Sequence, residues 1–395
     1  MKYEDLARHM VRAPHSGLQF THEEKLKYSL NYVNCLFGGK IGLPSVVVAG
    51  TKGKGSTCSV IESVLRHNGF KTGLFTSPHL VSPRERIKIN GKSINGEMYV
   101  SIYQELEKCL KGCSLKMPPF FGVQTLMAAM AFTSNPIDVA VIECGIGGRF
   151  DWTQVFSPSV SVVTHLEYDH VELLGRTADS IAWHKAGVFK PNIPALSPIQ
   201  NHEFFVPLQK YSKQQGANLR IVEPYYQGEM GLRGPTAMEN TSLGIEASIE
   251  IGKIFQKEID PTQGARTVDI LGRYQTVFKD NINWMLDGAH SKESLLSCYR
   301  WYTQNRKNSS SDVLLCAMTK SRDSETLLSP FFSLPFKEKI FVKSYGLMPG
   351  SNLKISNNLK ESISYAKSLN PHSVLVTGSL HLVGDTMRRL KIDIP

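Results

Sequence analysis

Residues 46–57, VVVAGTKGKGST, join an apolar, β-branched run to a glycine-rich turn and then to a helix-forming stretch. The apolar run reads as a strand buried on both faces, which is the habit of a parallel sheet. Gly50, Gly53 and Gly55 free the backbone to turn its N–H groups inward, and the following helix adds its positive N-terminal end. Strand, turn and helix in this order form the first half of a βαβ unit, so the turn commits the chain to an α/β fold. It also commits the turn to an anion. Lys54 can reach the β- and γ-phosphates of a nucleotide, and a hydroxyl at Ser56 or Thr57 can ligate Mg²⁺. The nucleotide-binding residues expected here are Gly50, Thr51, Lys52, Gly53, Lys54, Gly55, Ser56 and Thr57. The spacing departs from the usual G-x-x-x-x-G-K-[ST], because Gly55 separates the lysine from the serine.

The alternation continues along the chain. Strands are predicted at 45–49, 71–75, 138–143 and 160–164, with helices at 56–67, 94–110, 122–132, 178–186 and 240–255. A second series follows Pro261, with strands at 282–286, 313–317, 339–342 and 373–377 and helices at 291–303, 324–332, 357–368 and 381–390. The expected fold class is α/β. It comprises an N-terminal P-loop ATPase domain (1–262) with a mostly parallel sheet and a smaller C-terminal Rossmann-like domain (263–395), joined by a linker at 259–267.

Composition removes other classes. Hydrophobic residues make up 41% and charged residues 20%, which excludes wholesale disorder, collagen and coiled coil. No apolar run approaches the ~20 residues of a membrane span. The seven cysteines show no Cys-x-x-Cys pair, so reduced thiols are expected, with neither a zinc site nor a disulfide frame. The start of the chain has neither signal-peptide nor transit-peptide character, which predicts a cytoplasmic protein and leaves open an organelle form from another start. Charge is uneven: residues 266–395 hold 18 basic and 11 acidic residues. That excess suits an anionic partner such as ATP or a polyanionic substrate. Without a Lys/Arg cluster it does not favour nucleic acid.

A nucleotide turn needs metal ligands near it. Residues 138–143 (DVAVIE) place Glu143 at the C-terminal end of a predicted buried strand, where open α/β sheets bind ligands. A carboxylate there can hold Mg²⁺. The glycines at 145, 147 and 148 imply close backbone approach.

Taken in order, 50–56 (GTKGKGS), 76–80 (TSPHL), 84–89 (RERIKI), 143–151 (ECGIGGRFD), 169–175 (DHVELLG), 185–190 (KAGVFK), 286–290 (LDGAH) and 377–384 (TGSLHLVG) resemble the folylpolyglutamate synthases of the Mur-ligase superfamily. The resemblance spans essentially the whole chain, and the combination is specific where each motif alone is not. It implies an ATP-dependent amide ligase. A folate carboxylate takes the γ-phosphoryl group as an acyl phosphate, and the amine of L-glutamate displaces phosphate. It also implies one or two Mg²⁺ ions, with Ser56, Ser77 and Glu143 holding the first and His170 the second. Lys185 matches a lysine that is carbamylated in the family. The catalytic set so implied is Lys54, His170, Lys185 and Arg273. Asp287 and His290 resemble residues on the ribose and phosphate side of ATP, and Arg273 an arginine that reaches the phosphates when domains close.

Departures are visible. Ile270 and Leu271 stand where the family has a Trp-Pro type pair before the Gly-Arg. Residues 234–240 keep the Gly and Asn of an adenine-contacting segment but lose its His-Gln. Asn240 therefore reads either as an adenine contact or as a helix N-cap. Phe120 and Phe121 read either as part of a pterin pocket or as core. Gly122 stands where enzymes that also make dihydrofolate often carry Glu, which favours polyglutamylation alone. The expected partners are ATP, folate and L-glutamate, with no nucleic acid and no membrane, acting on a monomer. Two alternatives of other kinds are an ATP-hydrolysing P-loop module and a basic nucleic-acid protein. Dihydrofolate synthase, alone or as a second activity, is the nearest one.

Overall fold

In the computed structural model, residues 2–12, 21–306, 310–318, 324–343 and 353–392 are described. Strand β1 (Ser45–Ala49) is buried throughout, and its side chains alternate between two cores. Val47 and Ala49 pack in a cluster with Phe75, Leu126 and Ile142. Val46 and Val48 pack in another with Ile61, Leu65 and Leu243. Helices cover both faces of the sheet, which is why its strands read as unbroken apolar runs.

The other strands of this unit are β2 (Thr72–Phe75), β3 (Ile87–Ile89), β4 (Lys92–Ser93), β5 (Val139–Glu143), β6 (Val160–Val163), β7 (Pro194–Pro198) and β8 (Asn218–Val222). They are ordered β4-β3-β2-β5-β1-β6-β7-β8. From β2 to β8 every pairing is parallel, and β3 and β4 add an antiparallel edge. The register sets Val48 beside Glu143 and Ala49 beside Val163. The segments leaving β1, β5 and β6 therefore emerge together at the carboxyl edge of the sheet.

The chain divides into two units, the first comprising Met1–Leu232 and Thr236–Asp269 and the second Arg233–Pro235 and Ile270–Pro395. The second holds β9 (Gln275–Lys279), β10 (Ile282–Leu286), β11 (Val313–Cys316), β12 (Glu338–Val342), β13 (Lys354–Ser356) and β14 (Ser373–Thr377). Their order is β13-β12-β11-β14-β10-β9, with β9 antiparallel to β10 and the rest parallel. Its core includes Met285, Tyr302, Leu314, Phe341 and Leu375. The α/β class with a mostly parallel larger sheet and a smaller second unit is as expected.

Several expectations need correction. The predicted linker is partly a helix, Thr262–Thr267, and Gly264 lies so close to Val64 that a Cβ there would come within 2.3 Å of its Cα. The helix carrying Asn240 begins at Ala237, with Thr236 at its cap position, so Asn240 is not an N-cap. Cys35 and Cys113 form a disulfide between the helix His22–Phe37 and the end of the helix Gly96–Gly112. Reduced thiols are thus the rule only for Cys58, Cys109, Cys144, Cys298 and Cys316. Among the described residues no helix is long and apolar enough to cross a membrane.

Candidate active site

The turn after β1 runs into the helix Lys54–His67 through Gly53, whose φ of 86° is left-handed. Gly50 also has positive φ, 142°, and a Cβ there would come within 1.9 Å of Thr164 Oγ1. Both positions thus require glycine. The amides of Thr51 and Lys52 donate to the carbonyl of His165 at 2.9 and 3.1 Å. The hydroxyl of Thr51 donates to the carbonyl of Glu167 and accepts from its amide, at 3.2 and 3.1 Å. These two amides thus bind the turn to the segment leaving β6. The helix has no side-chain N-cap, and its first intrahelical bond runs from Thr57 N–H to Gly53 O. The amides of Lys54, Gly55 and Ser56 precede that bond and stand at the positive end of the helix, the arrangement expected of an anion cradle.

Two lysines converge on one carbonyl. Lys54 Nζ donates to Gly50 O at 3.2 Å and to Thr51 O at 3.4 Å. Lys185, only 3% exposed, donates to the same Gly50 O at 2.7 Å. Burial brings the Lys185 ammonium down to about 7, and the positive charge of Lys54 pushes the same way. A buried amine that is substantially neutral near pH 7 is the form that can add CO₂.

Glu143, at the end of β5, is 4% exposed and accepts from the amide of Ser77 at 2.8 Å through Oε2. A Cβ on Gly55 would lie 3.4 Å from the same oxygen. Two of the expected metal ligands, Ser77 and Glu143, are thus drawn together beside the first helical turn, which carries Ser56. Their oxygens are the hard donors that suit Mg²⁺. His170 is different. It caps the short helix Val171–Leu174 at φ 51°, is about half exposed, and has Asp169 Oδ2 at 4.0 Å from Nε2. Among the described residues no three His, Cys, Asp or Glu side chains cluster as a metal site.

Asn240 lies 4% exposed under the turn. Its amide oxygen accepts from Thr57 Oγ1 at 3.3 Å, and its nitrogen donates to Thr236 Oγ1 at 3.1 Å. Any Cβ on Gly53 would run into that oxygen, at 2.2 Å. Phe120 and Phe121 are both partly buried. Phe121 packs on Phe75 with ring centroids 5.7 Å apart, on the core side. Phe120 lies under the Arg86 guanidinium at 5.2 Å and edge-on to His79 at 6.4 Å. Arg86 donates to His79 Nδ1 at 2.9 Å and is 8% exposed. A buried arginine on an aromatic ring is a feature that the motif spacing alone did not single out.

Asp151 was also missed. It is buried, and its carboxylate accepts from the amides of Gly145, Ile146 and Thr153 and from Thr153 Oγ1 at 2.6 Å. It pins the glycine-rich segment after Glu143. Burial raises its pKa, against the pull of those hydrogen bonds. In the second unit, Asp287 accepts from the amides of Tyr274 and Ala289, both at 2.9 Å. Burial raises the Asp287 pKa while Arg273 holds it down, so these two expected residues share one electrostatic group. His290 bonds the Gly288 carbonyl through Nδ1 at 2.8 Å.

No family model matches the chain. A folylpolyglutamate synthase of Arabidopsis thaliana is 30% identical, over 87% of this chain and 80% of that protein. The mitochondrial folylpolyglutamate synthase of Cricetulus griseus is 34% identical, over 74% of this chain and 58% of its own length. The chain thus spans less than two thirds of that relative. Among solved structures, the apo form of L. casei FPGS matches with a TM-score of 0.84 at 22% identity, over 99% of this chain and 100% of that one. At that identity the likeness is one of fold.

Proposed function

This chain belongs to the folylpolyglutamate synthase family, and from that membership we propose that it is an ATP-dependent ligase adding L-glutamate to the γ-carboxyl of tetrahydrofolate polyglutamates. The observation that carries the reading is the meeting of two lysines and a free helix N-terminus at one glycine turn. Joining a carboxylate to ATP brings two anions together, so positive charge must be in place before they meet.

The folate carboxylate oxygen attacks the γ-phosphorus, the bond to the ADP oxygen breaks, and an acyl phosphate forms. The glutamate amine then attacks the acyl carbon, inorganic phosphate leaves, and the amine gives up a proton. Lys54 and the amides of Lys54, Gly55 and Ser56 hold the phosphate charge. Lys185, carbamylated, becomes an anion that offsets the excess of cations around Gly50. Ser56, Ser77 and Glu143 hold Mg²⁺, which supplies charge screening for the phosphates. His170 is assigned to a second ion through the resemblance alone. Asn240, Arg273, Asp287 and His290 are assigned to the nucleotide, and Phe120, with Phe121 behind it, to the flat heterocycle of the folate.

Gly122 supports polyglutamylation over dihydrofolate synthesis. A Cβ there would meet the Trp152 ring at 2.8 Å and Pro118 at 2.9 Å, so a glutamate has no room. The deciding experiment is ADP release with tetrahydrofolate and L-glutamate, each omitted in turn, and with dihydropteroate in place of folate. ADP release that ignores both substrates, or that needs dihydropteroate, overturns the proposal.

A further inference from the structure

Gln200 stands just past β7, 7% exposed, and belongs to none of the motifs. Its carboxamide bridges the two peptides that flank His165, in the segment that leaves β6. Nε2 donates to Thr164 O at 3.1 Å and to Ser197 Oγ at 3.0 Å, while Oε1 accepts from Leu166 N–H at 2.9 Å. Between Thr164 and Leu166 lies His165, whose carbonyl takes the amides of both Thr51 and Lys52. Thr164 is tied to β1 as well, its amide donating to Ala49 O at 2.8 Å. The nucleotide turn is therefore laid against a template, 164–167, and a single buried side chain clamps that template on both sides of the carbonyl that receives the turn.

We propose that Gln200 is a positioning residue for the nucleotide, acting through His165 on the 50–53 turn. A primary carboxamide suits the task because it donates and accepts from one planar group, which fixes the facing of the His165 peptide. Without it, Thr164 O and Leu166 N–H would be buried and unpaired, and the His165 carbonyl would be free to rotate. The inference rests on the nucleotide reading of the turn and deepens it.

The test uses the whole chain and Mg–ATP, with the dissociation constant read by calorimetry and amide exchange read at Thr51 and Lys52. Gln200→Leu keeps the volume but neither donates nor accepts. It should raise the dissociation constant and the KM for ATP about tenfold, the scale of one or two lost hydrogen bonds, and leave the KM for glutamate unchanged. Exchange at the two amides should speed up by a similar factor. Gln200→Glu keeps the acceptor only and should fall between, which serves if the leucine variant does not fold. Val222→Ala, a core change on β8, should lower the melting temperature and leave the ATP dissociation constant alone. A wild type that binds Mg–ATP beside a Gln200→Leu or Gln200→Glu that binds it equally overturns this inference alone. A wild type that does not bind Mg–ATP overturns the nucleotide reading and the inference with it.

Discussion

The ammonium of Lys185 donates to the carbonyl of Gly50 at 2.7 Å, joining a buried lysine to the first residue of the glycine-rich turn across 135 positions of sequence. Burial first, and the charge of Lys54 second, bring its pKa down to about 7. The folded chain therefore releases this proton well before the unfolded chain does. The unfolded state binds the extra proton between about pH 7 and the ordinary lysine value, so Lys185 makes the fold more stable as pH rises through that window. Lys185→Met should flatten that rise in a series of melts. Turnover should also respond to dissolved CO₂ above pH 7, where the neutral amine dominates. Lys185→Ala should lose about 100-fold or more in kcat and regain part of it with small carboxylates. A wild-type rate in that variant would sink the carbamate.

Lys54→Ala removes the cation on the first helical turn and leaves phosphate charge without its partner. Turnover should drop by about 100- to 1,000-fold, with the fold intact by circular dichroism. Full activity in Lys54→Ala would place the γ-phosphate elsewhere.

Gly122→Ala forces a methyl group onto the Trp152 ring and Pro118. The expected loss is about 1–3 kcal/mol of stability in denaturant titrations, the range of core overpacking. Gly122→Glu should not confer turnover of dihydropteroate. If it did, without loss of stability, the crowding at Trp152 would not be what selects the substrate.

The Cys35–Cys113 bridge closes a loop over a sequence separation of 78. Cys35→Ser, or reduction, should cost about 4 kcal/mol and lower the melting temperature of the first unit by about 5–10 °C. A thermogram unchanged by reductant would show that the pair is not bridged.

Arg273→Ala takes away the cation that holds the Asp287 pKa down. ADP release should slow about 100-fold or more, while the melting temperature moves by only a few degrees, because Tyr274 and Ala289 still donate to the carboxylate. A large drop in melting temperature with near-normal kinetics would make Arg273 structural.

What was legible in the chain was local. VVVAG and DVAVIE announce buried strands, because β-branched runs with glycine after them have few other homes, and GTKGKGS announces the turn. Strands β8 and β9 were not legible. Their exposed positions alternate at sheet edges in NLRIV and QTVFK, too short and too polar to separate from loop. The Asn240 N-cap reading failed because Asn is equally at home inside the first turn when Thr57 supplies a hydroxyl from another helix. Arg86 on Phe120 and the Cys35–Cys113 pair depend on tertiary approach between distant segments, whereas Asp151 binds residues only two to six positions away. No spacing rule reports those two approaches. Glu143 and Ser77, 66 positions apart, were linked only through family resemblance, and the amide-to-carboxylate bond supplies the physical reason.

The commitment of the Thr51 and Lys52 amides to His165 has a thermodynamic consequence. If the proposed site is right, a triphosphate would meet a mould already cast, and would not spend its affinity on ordering a floppy segment. Nucleotide capture should then resemble docking onto a rigid seat, with a small entropic penalty from the backbone. Selectivity would rest with side chains that can exchange partners, above all the ammonium of residue 54, which must leave the Gly50 and Thr51 carbonyls to meet an anion.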